Sequence, residues 1–251
     1  YGWPSFVMYR FVALWAGAES REVPLGDDHS LDLEAMRDAI DDDTTMVIVC
    51  NPNNPTGTIK PADEIESFID SVPEHVLVVV DEAYHEFVTD PAYRTQVPMA
   101  LERPNVVVLR TFSKIYALAA LRVGYAIARA DLLTELRKAQ APLTVNLVAQ
   151  TAARATLGQP DELERRRSLN EARRHHLVGA LAERGFPMAE SHTNFVYFEL
   201  GDDADVVIDT MTTRGVLIRG MGGGWVRVTI GDDEENRRFL EALDDAFENA
   251  R

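Results

Sequence analysis

The chain has 251 residues, 46% hydrophobic and 26% charged, a composition that excludes whole-chain disorder and can bury a sizeable core. Its 25 basic and 41 acidic side chains leave a net charge of −16, a field that repels phosphate backbones and anionic bilayers and so argues against a nucleic-acid or membrane partner. No apolar run approaches the roughly 20 residues of a membrane helix, and the single cysteine, Cys50, rules out a disulfide within the chain and fits a reducing, cytoplasmic setting.

The chain opens Tyr1-Gly2-Trp3-Pro4 in what reads as mid-domain sequence, with no signal peptide, and an N-terminal segment is expected to be missing. Leu31 to Ile40 sets Leu33, Met36 and Ile40 on one helical stripe, with Ser30 as the expected N-cap. The β-branched run Met46-Val47-Ile48-Val49-Cys50 then ends in Asn51-Pro52-Asn53-Asn54-Pro55-Thr56-Gly57. Pro61 to Val72 reads as a helix with proline at its first position and Ile65, Phe68, Ile69 and Val72 on one face. A second run, Val76-Leu77-Val78-Val79-Val80, ends in Asp81-Glu82-Ala83-Tyr84. From Glu82 to Arg103 the prolines Pro91, Pro98 and Pro104 are expected to break any helix. A third run, Val106-Val107-Val108-Leu109, ends in Arg110-Thr111-Phe112-Ser113-Lys114. Val123 to Ala128 is a further strand candidate, and Asp131 to Ala139 a short helix with Leu132, Leu133 and Leu136 inward.

After Pro142 the texture changes. Leu143 to Leu157 and Asp161 to Arg184 read as long helices, the second ending at Gly185 and carrying Leu163, Leu169, His176, Leu177 and Leu181; His175-His176 is expected half-buried. A strand (Asn194 to Leu200), a helix (Asp202 to Arg214), two short strands (Val216 to Arg219 and Trp225 to Ile230) and a helix from Asp232 complete a small α+β domain. The division is expected at 1–160 and 161–251. No internal repeat or low-complexity tract is visible.

Continuous apolar runs are the mark of strands buried on both faces, hence of a mostly parallel sheet covered by helices. In such α/β sheets ligands bind beyond the carboxyl ends of the strands. That edge gathers Asn54, Asp81, Tyr84, Ser113 and Lys114. A lysine just past a buried strand suits Schiff-base chemistry, because burial and nearby cations favour its free amine. Pyridoxal phosphate uses such a lysine and needs an acid for its ring nitrogen, for which Asp81 is the candidate. Asn54 and Tyr84 offer donors to the phenolic oxygen, Ser113 and Arg122 to the phosphate, and Phe6 a face for the ring. A metal cluster of Asp81, Glu82, His85 and Glu86 lacks a ligand spacing, so no metal is expected. Gly222-Gly223-Gly224 lacks the lysine and helix of a phosphate loop and reads as a hairpin. The acidic clusters Asp41-Asp42-Asp43 and Asp232-Asp233-Glu234-Glu235 read as solvated or helix-start charge.

The Asn51–Gly57 stretch, Asp81-Glu82-Ala83-Tyr84, and Ser113-Lys114 followed by Leu121-Arg122-Val123-Gly124 resemble, in order and spacing, the fold-type I aminotransferases of class I and II. Within that group the chain is similar to histidinol-phosphate aminotransferases and the aromatic aminotransferases of actinobacteria, from Trp3 to the last helix. The resemblance implies an aspartate-aminotransferase-like large domain, incomplete at its N-terminus, followed by the small domain. Lys114 is then the Schiff-base lysine, later moving the proton between Cα and the cofactor's C4′. Asp81 pairs with the pyridine nitrogen, Tyr84 and Asn54 with the phenolic oxygen, and Ser113 and Arg122 with the phosphate, while Phe6 lies over the ring. Arg227, in Trp225-Val226-Arg227-Val228-Thr229, matches the arginine that clamps the substrate carboxylate; Arg219 matches a second arginine near the distal group, and Asn194 a pocket asparagine. Two departures stand out. A glycine-serine helix start that grips the phosphate is absent, and the usual Gly-Leu-Ala-Gly-Leu-Arg stretch reads Ala117-Leu118-Ala119-Ala120-Leu121-Arg122.

The implied activity is transamination of histidinol phosphate with 2-oxoglutarate, between small-molecule amino donor and oxo acceptor, with aromatic amino acids as the alternative substrates and a related decarboxylase using the same edge. A reading from another class is a non-catalytic fragment or cofactor-binding module. A homodimer is expected from the family.

Overall fold

The computed structural model describes the backbone of residues 1–250 and side chains through residue 247. Its elements are β1 (Gly2–Trp3), α1 (Met8–Trp15), β2 (Val23–Pro24), α2 (Leu33–Asp38), β3 (Met46–Cys50), α3 (Ala62–Ser71), β4 (Leu77–Asp81), α4 (Val97–Glu102), β5 (Val106–Thr111), β6 (Gly124–Ile127) and α5 (Ala130–Ala139). They continue with α6 (Leu147–Leu157), α7 (Pro160–Glu183), β7 (Phe195–Glu199), α8 (Ala204–Thr213), β8 (Arg219–Gly222), β9 (Trp225–Thr229) and α9 (Asp233–Ala250).

The three apolar runs form β3, β4 and β5 of a four-stranded sheet in the order β3-β4-β5-β6, the three parallel to one another and β6 antiparallel at the edge beside β5. Val49, Val78, Val80, Val106 and Val108 are fully enclosed and pack with Ile65, Phe68 and Ile69 of α3 and Met36 of α2. The opposite face carries Val79 and Val107 under Leu132, Leu133 and Leu136 of α5. Sheet faces covered on both sides explain why these strands do not alternate polar and apolar residues. A second core forms where the antiparallel β7-β9-β8 sheet meets α7, α8 and α9, around Leu177, Leu181, Val196, Phe198, Met211 and Leu243.

Five local expectations are corrected. Asp32, not Ser30, caps α2: its carboxylate accepts the Ala35 N–H at 2.9 Å, while Ser30 donates to Asp28. Residues 97–102 form α4 despite Pro98, because a proline in the first turn removes an N–H that has no helical partner. The helix expected from Leu143 begins at Leu147 with Asn146 as N-cap, and Leu143, at φ 60°, stands wholly in solvent. The first of the two late strands begins at Arg219 rather than Val216. His175 and His176 are both exposed; the enclosed cation on that helix is Arg174.

Candidate active site

The three polar strand ends arrive side by side because the strands pair in register, with Cys50 opposite Asp81 and Asp81 opposite Leu109. The loop after β3 is held by its own asparagines. Asn51 exchanges hydrogen bonds with Lys60, its Nδ2 donating to the carbonyl at 3.1 Å and its Oδ1 accepting the N–H at 2.9 Å. Asn53 donates to the Pro4 carbonyl and the Thr56 hydroxyl and accepts from the Ser5 hydroxyl at 2.8 Å, which ties the segment before α1 to the strand edge. Gly57 turns the loop at φ 80°, and a Cβ there would meet Ser191 Oγ at 2.6 Å. Of the three asparagines, Asn54 is the one aimed at the site: Arg227 Nη1 donates to its Oδ1. With that oxygen engaged, Asn54 presents its amide nitrogen as a donor.

Asp81 ends β4 with both oxygens already oriented. Oδ1 accepts the Ala83 N–H at 3.0 Å and Oδ2 the Tyr9 hydroxyl at 2.7 Å. Burial pushes the Asp81 carboxyl up, and the Tyr9 hydroxyl, the Ala83 N–H and the Lys114 charge draw it back down. The next residue, Glu82, points the other way: its carboxylate is enclosed and takes Arg110 at 2.8 Å, the Thr95 hydroxyl and the Gln96 N–H, which anchors β4 to β5 and to the loop before α4.

Lys114 lies on a closed turn, with Ala117 N donating to the Lys114 carbonyl at 2.8 Å and Leu118 N to the Phe112 carbonyl at 2.9 Å. Phe112 plugs that turn into the core against Tyr116 and Tyr125, leaving Ser113 and Lys114 facing out. Lys114 Nζ sits 4.9 Å from the centre of the Tyr84 ring. Tyr84 meets Phe195 edge-on at 5.1 Å, and the Arg227 guanidinium lies 4.9 Å from the Phe195 ring centre. Burial first, then the Arg227 charge, lowers the Lys114 pKa. Burial also raises the Tyr84 phenol and keeps it a donor. Arg122, exposed at φ 51°, donates to the Ala119 carbonyl at 2.7 Å and has no carboxylate partner among the described residues.

The small-domain strands bring the remaining candidates. Arg227 is half-buried on β9, and its Nε is enclosed without a hydrogen-bond partner. Arg219 on β8 lies directly opposite it in the antiparallel ladder. Asn194, half-buried, accepts the Ile230 N–H through its carbonyl at 2.9 Å as β7 begins. Phe6 is 38% exposed and meets Tyr9 edge-on at 5.7 Å. Tyr9 itself escaped the sequence reading, although it lies three residues after Phe6, its N–H donating to the Phe6 carbonyl at 3.0 Å in the turn that opens α1. No group of three or more metal-ligating side chains occurs among the described residues.

A sequence model of the family "Aminotransferase class I and II" matches residues 2–243. The chain belongs to that family. It is 46% identical over 246 residues to an aromatic amino acid aminotransferase of Streptomyces avermitilis, covering 97% of this chain and 68% of that protein. It is 42% identical to a histidinol-phosphate aminotransferase of Brevibacillus brevis, covering 95% of this chain and 66% of that one. The crystal structure of the Sinorhizobium meliloti histidinol-phosphate aminotransferase in complex with pyridoxal-5′-phosphate superposes with a TM-score of 0.92 at 27% identity, over 98% of this chain and 69% of that one. The enzyme is therefore a pyridoxal-phosphate-dependent aminotransferase with the aspartate-aminotransferase-like fold. The side chains present suit that cofactor: an amine without a hydrogen bond, a half-buried carboxylate with lone pairs to spare and an acid-free guanidinium. Among the described residues no helix is long and apolar enough to cross a membrane.

Proposed function

We propose that this aminotransferase exchanges an amino group between glutamate and a phosphate-bearing oxo acceptor, with histidinol phosphate and imidazole acetol phosphate as the second pair. The supporting observation is the arginine pair: Arg219 and Arg227 stand opposite each other on adjacent strands. Like charges so placed repel: burial first, and then Arg219, lower the Arg227 pKa. Two negative charges relieve that repulsion. Glutamate brings two carboxylates, and a phosphate monoester is a dianion. An aromatic amino acid brings one carboxylate and needs one guanidinium; the 46% identity to the aromatic enzyme favours it as the second reading.

In this reading the residues named from the sequence keep their roles. When bound, pyridoxal phosphate supplies the electron sink for the carbanion at substrate Cα. Lys114 contributes its free amine and carries the proton between Cα and C4′. Asp81 holds the pyridine nitrogen in its protonated form, Asn54 and Tyr84 donate to the phenolic oxygen, Ser113 and Arg122 hold the phosphate, Phe6 covers the ring face, and Asn194 lines the pocket.

With glutamate as donor, kcat/KM for imidazole acetol phosphate is expected to exceed that for phenylpyruvate. Arg219→Ala is expected to lower the former about 10-fold and leave the latter nearly unchanged. Equal loss for both acceptors, or a preference for phenylpyruvate, overturns the phosphate assignment in favour of the aromatic one. We also propose a homodimer, supported by the uncovered apolar side chains Phe11, Val12, Leu14 and Trp15 on α1. Light scattering is expected to give twice the 28.0 kDa chain mass, and a monomer at high concentration counts against it.

A further inference from the structure

We propose that Tyr9 is a positioning residue that holds Asp81 ionised and aligned for the ring nitrogen of pyridoxal phosphate and at the same time sets the angle of Phe6. The inference rests on the assignment of Asp81 and Phe6 to the two sides of the cofactor ring.

The geometry is specific. Tyr9 is enclosed, 8% exposed, on the inner face of an otherwise open helix. Its hydroxyl donates to Asp81 Oδ2 at 2.7 Å, across 72 residues of sequence. Its ring is clasped edge-on by Phe6 at 5.7 Å and by Tyr1 at 5.6 Å. One side chain therefore touches both the acid and the stacking face. The segment carrying it is pinned to the strand edge by Asn53, through the Pro4 carbonyl and the Ser5 hydroxyl.

The chemistry follows from who surrounds Asp81. The titratable groups facing it are Tyr9 from α1, Cys50 from β3, and Lys114 and Tyr84 from the loops after β5 and β4. Cys50 is pushed up to about 12 by burial and by the Asp81 charge, so it stays a neutral thiol. Tyr9 is likewise held protonated by burial, so its O–H is a permanent donor. A hydrogen bond from a neutral donor stabilises the carboxylate and not the acid. Burial works against ionisation of Asp81, and the Tyr9 hydroxyl is the nearest side-chain group opposing it. An ionised Asp81 keeps the ring nitrogen protonated. That second positive charge would help set the pH at which the bound cofactor's absorbance changes, so deleting the Tyr9 hydroxyl would weaken cofactor binding and move that pH upward.

The test is Tyr9→Phe, which removes one oxygen and keeps the ring packing. The dissociation constant of pyridoxal phosphate is read by equilibrium dialysis, and the pH midpoint of the bound cofactor's visible absorbance by titration. The dissociation constant is expected to rise about 10-fold and the midpoint to move up by about half a pH unit or more. In an Asp81→Asn background the same substitution is expected to add nothing, because its target is gone. A fall in melting temperature with both readouts unmoved makes Tyr9 a packing residue and overturns the inference, as does an equal effect in the Asp81→Asn background. Borohydride trapping of wild-type protein separates the two levels: label at Lys114 with an unshifted Tyr9→Phe overturns this inference alone, whereas no label at Lys114 overturns the site assignment and this inference with it.

Discussion

Lys114→Ala is expected to lower transamination by about four orders of magnitude or more, because the roles proposed for Lys114 are those of nucleophilic amine and proton carrier. Nothing else near the site replaces it. The amine stands over Tyr84 with no hydrogen bond or ion pair among the described residues, and the cations around it are guanidiniums that stay protonated. Burial, Arg227 and Arg122 lower its pKa while Asp81 raises it, so more free amine is present at neutral pH than on an exposed lysine. The same shift fixes the stability effect. A lysine whose folded pKa lies below its unfolded value of 10.5 binds fewer protons in the folded state. Native stability therefore rises with pH across that window, and at neutral pH the ammonium is a liability to the fold. Lys114→Ala is accordingly expected to melt no lower than wild type while failing to convert glutamate in a single half-reaction and failing to take a borohydride-stable label. Measurable turnover in that variant sinks the assignment of Lys114.

The parallel sheet and the strand-end site were legible because both follow from local rules. Val76 to Val80 has no polar alternation, so it had to be covered on both faces, and the residue after such a strand lies at the ligand edge. What the sequence hid depends on contacts between distant segments. Tyr9 is one aromatic among several near the start of the chain, and its bond to Asp81 spans 72 residues. The division of labour in Asn51-Pro52-Asn53-Asn54 was equally hidden: Asn51 and Asn53 serve the backbone, and Asn54 meets Arg227, 173 residues away. Local misreadings had local causes. Ser30 has capping chemistry but its hydroxyl is taken by Asp28, and Leu143 has helical hydrophobicity but a left-handed backbone. The face-to-face placement of Arg219 and Arg227 needed the ladder register, which the run Val216-Leu217-Ile218-Arg219 places one residue inside a strand that begins only at its end.

Arg227→Ala carries the second large effect, an expected loss of about 100-fold or more in kcat/KM for every carboxylate substrate, because the role proposed for this half-buried guanidinium is to pair with the carboxylate. Arg227 is costly to hold as a cation by the protein's own groups. Burial, and then Arg219, lower its pKa while Tyr84 raises it; its Nε has no partner, and Nη1 has only the neutral Asn54 amide. A planar carboxylate fits the fork of that guanidinium, satisfies Nε and offsets the charge next to Arg219 in one step. Arg227→Lys is expected to recover little, since an ammonium offers a point charge without the fork. The split between constants is informative. A rise in KM with kcat retained assigns Arg227 to holding the carboxylate equally in ground and transition states. A matching fall in kcat means that the clamp also sets the angle of the Cα–H bond to the ring. Asn54 supplies the control, because Arg227→Ala frees its Oδ1 and lets the amide turn. If the bound cofactor's absorbance is unchanged in Arg227→Ala, the loss belongs to the substrate; if the absorbance moves, part of it reaches the phenolic oxygen through Asn54. A variant with undiminished kcat/KM for glutamate removes Arg227 from the carboxylate site.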